Sequence, residues 1–159
     1  MIKVNLITLG RLKEKYLSQA VDEYKKRLSR YCALKITEIE PVRLSENPSQ
    51  TEIETALSKE TALILKQISQ NSTVVTLCIE GKQLSSPELA EFIEKQQISG
   101  KSIALVIGSS YGLSEEIKRK SDLRLSVSKM TFPHQLFRVM LLEQTYRAFK
   151  IIEGSAYHK

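Results

Sequence analysis

Cysteine and histidine are scarce in this sequence, which contains two of each in 159 residues. Cys32 and Cys78 form no CxxC pair and have no histidine close by in the chain, so neither a redox motif nor a cysteine-based metal site is indicated. Unpaired cysteines are typical of a reducing compartment, and we therefore expect a cytoplasmic protein without a metal. No apolar run approaches the ~18 residues of a membrane span. The opening MIKVNLITLG has no small-residue cleavage site and predicts a strand instead of a signal peptide.

Glycine is also scarce, at six residues, and no glycine-rich catalytic motif is complete. The first loop, TLGRLKEKY, has a single glycine, which excludes a GxGxxG dinucleotide fingerprint. The absence of GxxxxGK[ST] excludes a P-loop ATPase. There is no GxSxG nucleophile elbow and no Cys–His pair at a catalytic spacing. The function must therefore be sought in other loops.

Positive charge is in excess, and it is concentrated at the two ends of the chain. The net charge is +6 with a pI near 9.3. Residues 1–40 carry nine Lys/Arg against five Asp/Glu, and residues 101–159 carry ten against five. Residues 41–100 carry five Lys/Arg against eight Asp/Glu. If the two basic ends meet in space, they would form a surface for a polyanion, and we expect nucleic acid as the partner in preference to a merely solvated surface.

Strand and helix patterns alternate along the whole sequence. Short buried-type runs such as KVNLITLG, VVTLCI, IALVIG and LRLSV are separated by amphipathic segments with helical spacing. The EGK that follows VVTLCI predicts a turn towards the next helix. Ser86 is the predicted N-cap of one helix and Ser114 that of another, while Pro133 opens the last helix. This alternation is the signature of an α/β fold with a mostly parallel sheet flanked by helices. With no linker or repeat, we expect a single domain over residues 1–159.

Two loops that follow predicted strands could bind a ligand, because ligands of open α/β sheets lie beyond the carboxyl ends of the strands. In VIGSSYGLS, Gly108 and Gly112 bracket a turn, although for this loop alone a tight turn into the helix capped by Ser114 is the favoured explanation. In LSVSKMTFPHQ, Met130 and Phe132 are apolar residues in a loop, which suggests that they pack against another part of the molecule or line a slot. We expect His134, at the start of the last helix, to make local contacts only.

The last helix is apolar on more than one face between Leu136 and Ile152. Such a helix must be buried nearly all round, which in a small domain requires a second chain. We therefore predict a homodimer. Arg147 follows Glu143 by four residues, so a surface ion pair is the simplest interpretation of this arginine. The terminal Tyr157, His158 and Lys159 have little core to join and would fray unless docked.

The motifs IGxxxGL, LSxSKMTFPHQ, RVxLxEQxYRAFKI and the terminal AYHK together closely resemble the RlmH family of the SPOUT superfamily. The resemblance extends over essentially the whole chain. It implies an α/β fold whose C-terminal part forms a deep trefoil knot, an exception to the usual unknotted chain. It also implies S-adenosylmethionine as the methyl donor. The binding residues it implies are Leu77, Gly108, Val127, Ser128, Lys129, Met130, Thr131 and Phe132. Many members have two adjacent glycines where this chain has Gly108-Ser109.

The substrate implied by the resemblance is a pseudouridine in helix 69 of 23S ribosomal RNA, methylated at N3 on the assembled ribosome. Displacement of a methyl group from a sulfonium requires an aligned nucleophile and removal of the N3 proton. A fixed cation would stabilise the charge that develops on the imide, and we expect Arg147 in this role. His158 or Tyr157 would handle the proton or place the substrate. The alternative is a non-catalytic basic RNA-binding dimer, which cofactor binding would distinguish.

Overall fold

A five-stranded sheet with all strands parallel forms the centre of the molecule. The computed structural model describes residues 1–159. The strands are β1 (Ile2–Leu9), β2 (Cys32–Ile39), β3 (Ser72–Gln83), β4 (Ser102–Ile107) and β5 (Leu123–Ser126). The helices are α1 (Lys15–Leu28), α2 (Gln50–Leu65), α3 (Ser86–Ile98), α4 (Glu115–Lys120) and α5 (His134–Ile152). The strand order is β2-β1-β4-β3-β5, which confirms the predicted α/β fold.

Helices cover both faces of the sheet. Successive side chains of a strand therefore point into two different cores. On β1, Val4 and Leu6 belong to the larger core, whereas Ile7 and Leu9 belong to the smaller one. The larger core includes residues of α1, α3 and α5, and the smaller core includes residues of α2 and α4. Burial on both faces explains why the strands appear in the sequence as continuous apolar runs.

Helix α5 packs on α1 and α3 and is buried over part of its circumference. Leu141, Leu142, Ala148 and Phe149 lie within the larger core of the same chain. Other apolar residues of the helix, among them Val139 and Met140, are only half-buried. Its own chain therefore accounts for one part of the apolar surface of α5 and leaves another part uncovered.

The start of α3 differs from the prediction by one residue, since Ser85 and not Ser86 is its N-cap. Ser85 Oγ accepts a hydrogen bond from the Glu88 N–H at 3.3 Å, and the Glu88 carboxylate accepts one from the Ser85 N–H at 2.6 Å. This reciprocal capping box satisfies two free amides, whereas Ser86 donates its hydroxyl hydrogen to Gln144 of α5 at 2.7 Å. The predicted cap at Ser114 is confirmed by its hydrogen bond from the Ile117 N–H.

Strand β3 extends beyond VVTLCI into EGKQ, a segment for which the sequence predicted a turn. Its pairing with β5 is irregular, because the register shifts between Leu77 and Lys82. The strand returns to β5 at Gly81, where an added Cβ would lie 2.7 Å from the carbonyl oxygen of Arg124. Only glycine permits this close approach of two backbones. The irregular segment between Leu77 and Gly81 faces the candidate site described below.

Hydrogen bonds link the loop that precedes β3 to the loop that precedes β4. The hydroxyl groups of Ser72 and Ser102 are 2.7 Å apart, and that of Ser69 lies 2.6 Å from Ser72. Asn71 Nδ2 donates to the carbonyl of Gly100 at 3.2 Å. This edge of the sheet is therefore held by side chains that lie far apart in the sequence. None of the five helices has the length and apolarity needed to cross a membrane.

Candidate cofactor site

A cavity of about 380 Å³ opens at the carboxyl ends of the neighbouring strands β3, β4 and β5. This is the edge of an open parallel sheet at which ligands bind. Its volume lies within the ~300–1,000 Å³ typical of small-molecule sites. Seven of the eight residues expected to bind a cofactor line it: Leu77, Gly108, Val127, Ser128, Met130, Thr131 and Phe132. The eighth, Lys129, is exposed and does not line the cavity.

The loop that follows β4 forms one wall of the cavity through a tight turn. The Gly112 N–H donates to the Ser109 carbonyl at 2.8 Å, and Gly112 has a φ of 81°. Gly108 has no positive φ, but a Cβ on it would lie 2.4 Å from the Gly112 carbonyl oxygen. Both glycines are therefore required by the turn itself, which is the simpler of the two explanations that the sequence allowed. This turn also shapes the cavity wall.

The loop between β5 and α5 forms the opposite wall. Ser126 Oγ donates to the Ser128 carbonyl at 3.1 Å, and Ser128 Oγ accepts from the Met130 N–H at 3.0 Å. These bonds fold the loop back on itself. Phe132 is half-buried, whereas Met130 is 74% exposed at the rim. As expected from the sequence, these apolar loop residues line a slot.

The three residues expected to act on the substrate, Arg147, Tyr157 and His158, lie outside this cavity. Arg147 of α5 and Tyr157 of the tail form a cluster with Glu143 of α5. Arg147 donates to Glu143 Oε1 from Nε at 3.0 Å and from Nη2 at 2.6 Å. The Arg147 guanidinium lies 4.7 Å from the centre of the Tyr157 ring, and the Tyr157 hydroxyl donates to Glu143 Oε1 at 3.3 Å. The ion pair allowed by the sequence is therefore present. His158 is exposed and makes no hydrogen bond within the chain.

The tail is folded back onto α5 as far as Tyr157. Gly154, with a φ of 72°, follows the helix and reverses the chain. The Tyr157 ring meets that of Tyr146 edge-on, with 5.1 Å between ring centres. Burial and the nearby Glu143 carboxylate raise the pKa of Tyr157 above its ordinary value. The phenol therefore keeps its proton at neutral pH and acts as a hydrogen-bond donor.

Comparison with known proteins identifies the family. A family model described as "Predicted SPOUT methyltransferase" matches residues 2–158. The chain is 50% identical to the ribosomal RNA large subunit methyltransferase H of Clostridium botulinum (strain Kyoto / Type A2), over 99% of this chain and 100% of the relative. It is 49% identical to the protein of the same name from Clostridium kluyveri, with the same coverage. The chain belongs to the SPOUT methyltransferase family.

Solved structures share this SPOUT fold at low sequence identity. A methylase family protein from Haemophilus influenzae superimposes with a TM-score of 0.58 at 15% identity, over 100% of this chain and 72% of that one. A methylase family protein from Neisseria gonorrhoeae gives a TM-score of 0.52 at 14% identity, over 91% and 82% of the two chains. At this level of identity the likeness concerns the fold alone.

Sequence reasoning missed several residues that line the cavity of this SPOUT chain. Glu80, on the irregular part of β3, accepts a hydrogen bond from Lys118 Nζ of α4 at 2.5 Å. This contact lowers the pKa of the Glu80 carboxyl, which is therefore ionised at the rim of the cavity. His134 also lines the cavity, where burial and the charge of Arg138 lower its pKa. In the sequence, only the position of EGK directly after a buried strand indicated that Glu80 could line a site.

Arg138 is a second unpredicted feature, because it is charged and only 2% exposed. Its Nη1 donates to Glu38 at 3.0 Å and its Nη2 to the carbonyl of Gly10 at 3.0 Å. The Lys13 N–H donates to Gln135 Oε1 at 3.0 Å. The loop after β1 is thereby attached to the first turns of α5 beside the cavity. No group of three or more His, Cys, Asp or Glu side chains is arranged to hold a metal ion.

Proposed function

We propose that this protein is an S-adenosylmethionine-dependent methyltransferase that modifies the RNA of the large ribosomal subunit. The proposal is supported by its membership of the SPOUT family and by full-length relatives that are named ribosomal RNA large subunit methyltransferase H. The observation that carries it is the cavity at the ends of β3, β4 and β5, lined by seven of the eight expected cofactor residues. The finer target, N3 of the helix 69 pseudouridine on assembled ribosomes, rests on the resemblance in sequence.

The residues of the cavity fit this cofactor in polarity and in charge. Eleven of the 21 lining residues are hydrophobic, among them Leu77, Val127 and Phe132, and they suit the adenine ring. The ionised Glu80 carboxylate suits a ligand that carries a sulfonium and an ammonium. When bound, S-adenosylmethionine supplies an activated methyl group. The chain itself must bind and orient both reactants and manage one proton. The trefoil knot expected for the fold remains a prediction.

Arg147 and Tyr157 of the cluster, together with the neighbouring His158, would supply the groups that the acceptor needs. The Arg147 guanidinium would stabilise negative charge on the imide carbonyls of the pseudouridine. Tyr157, protonated at neutral pH, would donate a hydrogen bond to the base and place it. His158, exposed and without a partner in the chain, would take the N3 proton. The ion pair with Glu143 holds the Arg147 side chain in one orientation before RNA arrives.

A homodimer would bring this cluster to a cofactor cavity. Arg147, Tyr157 and His158 do not line the cavity of their own chain. A separate groove of about 580 Å³ is lined by Val139, Met140 and Glu143 of α5, and it shares Val127 with the cofactor loop. Docking of two copies along this groove would cover the half-buried apolar residues of α5. It would also place the cluster of one copy towards the cavity of the other.

Methyl transfer to ribosomes tests the proposal directly. Ribosomes are taken from a strain that lacks the gene, because these cytoplasmic ribosomes would carry the unmethylated substrate. They are incubated with the protein and labelled S-adenosylmethionine. We expect one labelled methyl group per 23S RNA, at the helix 69 pseudouridine, and none on ribosomes from the parent strain. Label at another nucleotide would refute the helix 69 assignment. If calorimetry detects no S-adenosylmethionine binding, the non-catalytic RNA-binding dimer becomes the better explanation.

A further inference from the structure

Two adjacent polar residues of α2, Glu60 and Thr61, are buried behind the cofactor cavity. Glu60 is 4% exposed and Thr61 is 1% exposed. The other buried residues of this helix are the apolar Ala56 and Ile64, and Ile64 belongs to the smaller core. A carboxyl group is almost never buried to this extent unless specific partners compensate for its lost hydration. The contacts of these two side chains therefore indicate what they do.

Both residues bind the loop that follows β4, at its two ends. Glu60 Oε2 accepts a hydrogen bond from Ser109 Oγ at 3.3 Å. The Thr61 and Ser114 hydroxyl oxygens are 2.5 Å apart. Thr61 Oγ1 donates to the Leu57 carbonyl at 2.8 Å, so the hydrogen between the two hydroxyls comes from Ser114. Consecutive residues of one helix thus hold the beginning and the end of the turn that walls the cofactor cavity.

The Glu60 carboxylate is itself fixed by the backbone. Its Oε1 accepts a hydrogen bond from the Val42 N–H at 3.0 Å, in the segment between β2 and α2. The pKa of the Glu60 carboxyl is raised above its ordinary value by burial, and these two hydrogen bonds offset only part of that rise. Glu60 lines a second cavity of about 230 Å³ on the far side of the loop and does not line the cofactor cavity. Any effect of Glu60 on the cofactor must therefore pass through Ser109.

We propose that Glu60 is a positioning residue, which holds Ser109 and thereby the 108–114 loop in the shape that receives the cofactor. This inference rests on the proposed function, since it takes S-adenosylmethionine as the ligand of the cavity. A carboxylate suits the position because both of its partners are donors. Glutamine has the same size but offers one acceptor and one donor, so it cannot accept from both Val42 and Ser109. The serine next to Gly108 is thus a contact point of the scaffold.

Calorimetry with S-adenosylmethionine on four variants tests this role. We expect Glu60→Gln and Ser109→Ala each to raise the Kd about tenfold, the effect of losing one hydrogen bond to a charged group. The double variant should bind no more weakly than the weaker single variant, because both changes remove the same contact. The matched control is Glu54→Gln, an exposed glutamate on the same helix, which should bind like the parent. Melting temperatures are measured in parallel.

The outcomes separate this inference from the proposed function. A lower melting temperature with a parental Kd in both single variants would overturn the inference, since Glu60 would then serve stability alone. Additive losses in the double variant would overturn it as well, because Glu60 would then act by another route. If Glu60→Gln does not fold, Ser109→Ala, a change in a half-buried loop residue that also lines the cofactor cavity, still tests the contact, since a parental Kd in this variant would overturn the inference. Failure of the parent chain to bind S-adenosylmethionine would overturn the proposed function and the inference with it.

Discussion

Gly108 illustrates how a backbone contact can determine a binding site. The space where its side chain would be is filled by the Gly112 carbonyl of its own loop, 2.4 Å from an ideal Cβ. The Leu113 Cγ lies 3.0 Å from the same point. Even a methyl group would therefore displace backbone atoms of the cavity wall. Gly108 therefore shapes the candidate cofactor site by permitting the turn.

Replacement of Gly108 should thus weaken cofactor binding more than it weakens the fold. We expect Gly108→Ala to raise the Kd for S-adenosylmethionine at least tenfold in calorimetry, because the loop must move to accept the methyl group. Gly100→Ala is the matched control, since Gly100 has a φ of 67° at the opposite edge of the sheet. That change should lower the melting temperature through backbone strain and leave the Kd unchanged. Parental affinity in Gly108→Ala would mean that this loop does not form the site.

Single residues were predictable from sequence only where their role depends on neighbours in the chain. The Arg147–Glu143 pair and the Ser114 cap follow from spacings of four and three residues. The Glu80–Lys118 and Glu60–Ser109 contacts join residues that are 38 and 49 positions apart. No local pattern marks such pairs, because they exist only once the sheet is assembled. Loop position alone singled out Gly108, Met130 and Phe132. Only the resemblance to a family named the other five candidate cofactor residues.

At the scale of elements, strand identities and the start of α4 followed from local chemistry. The start of α3 was displaced by one residue, and the end of β3 was not predicted. The turn predicted at EGK is wrong because pairing with β5 resumes at Lys82. Tertiary pairing overrides a local turn signal when a neighbouring strand satisfies the backbone. The extent to which α5 is buried was also not readable from its apolar pattern. That pattern does not distinguish contacts within the chain from contacts with a second copy.

The C-terminal tail is the element whose removal should separate chemistry from folding. Deletion of residues 155–159 removes the contact of Tyr157 with Tyr146, which is worth about 1 kcal/mol, and leaves the core intact. We expect parental S-adenosylmethionine affinity, with methyl transfer to ribosomes reduced by roughly 10²–10⁴-fold. Rates are measured with labelled cofactor in single-turnover assays.

Point variants show which residue of the tail accounts for the loss of methyl transfer. His158→Ala should reduce the rate at neutral pH less than the deletion does, if placement of the base is shared with Tyr157. Tyr157→Phe keeps the ring against Tyr146 and removes only the hydroxyl, so it serves as the control for packing. A truncated protein that methylates ribosomes at the parental rate would leave Arg147 and the loops of the cavity as the acting groups.

At the scale of the whole molecule, the groove beside α5 predicts how the proposed homodimer can be broken. Leu141 and Leu142 are unsuitable targets, because both lie in the core of their own chain and a charge there would unfold it. Met140 is half-buried and lines the groove. We expect Met140→Glu to produce folded monomers in sedimentation at micromolar concentration. Ser58→Glu, an exposed change on α2, should remain dimeric. A parent chain that sediments as a monomer would contradict the dimer outright.

Charge at the carboxyl edge of the sheet should govern binding to RNA. Arg11, Lys13 and Lys15 follow β1 at this edge, in the segment attached to α5 through Gln135. Replacing all three with glutamine should reduce the slope of log affinity against log salt by about two, since each lost phosphate contact contributes ~0.7–0.9.

The matched control for this experiment lies at the other edge of the sheet. Lys66, Lys95 and Lys101 are exposed and precede the amino ends of β3 and β4, so their replacement removes the same charge. Ribosome filter binding at salt concentrations between about 50 and 200 mM measures both slopes. Equal slopes for the two triple variants would mean that charge attracts RNA without regard to the face of the protein.

The hydroxyl groups of Ser69, Ser72 and Ser102 give the molecule a fixed end that is remote from its chemistry. Lys101 projects from this end as an exposed side chain, and its own N–H is bonded to the Gln96 carbonyl at 3.1 Å. A fluorophore or a surface tether attached there would sit on rigid backbone, on the side that faces away from the cavity. A label attached to Lys101 would therefore allow the binding of single protein molecules to ribosomes to be observed.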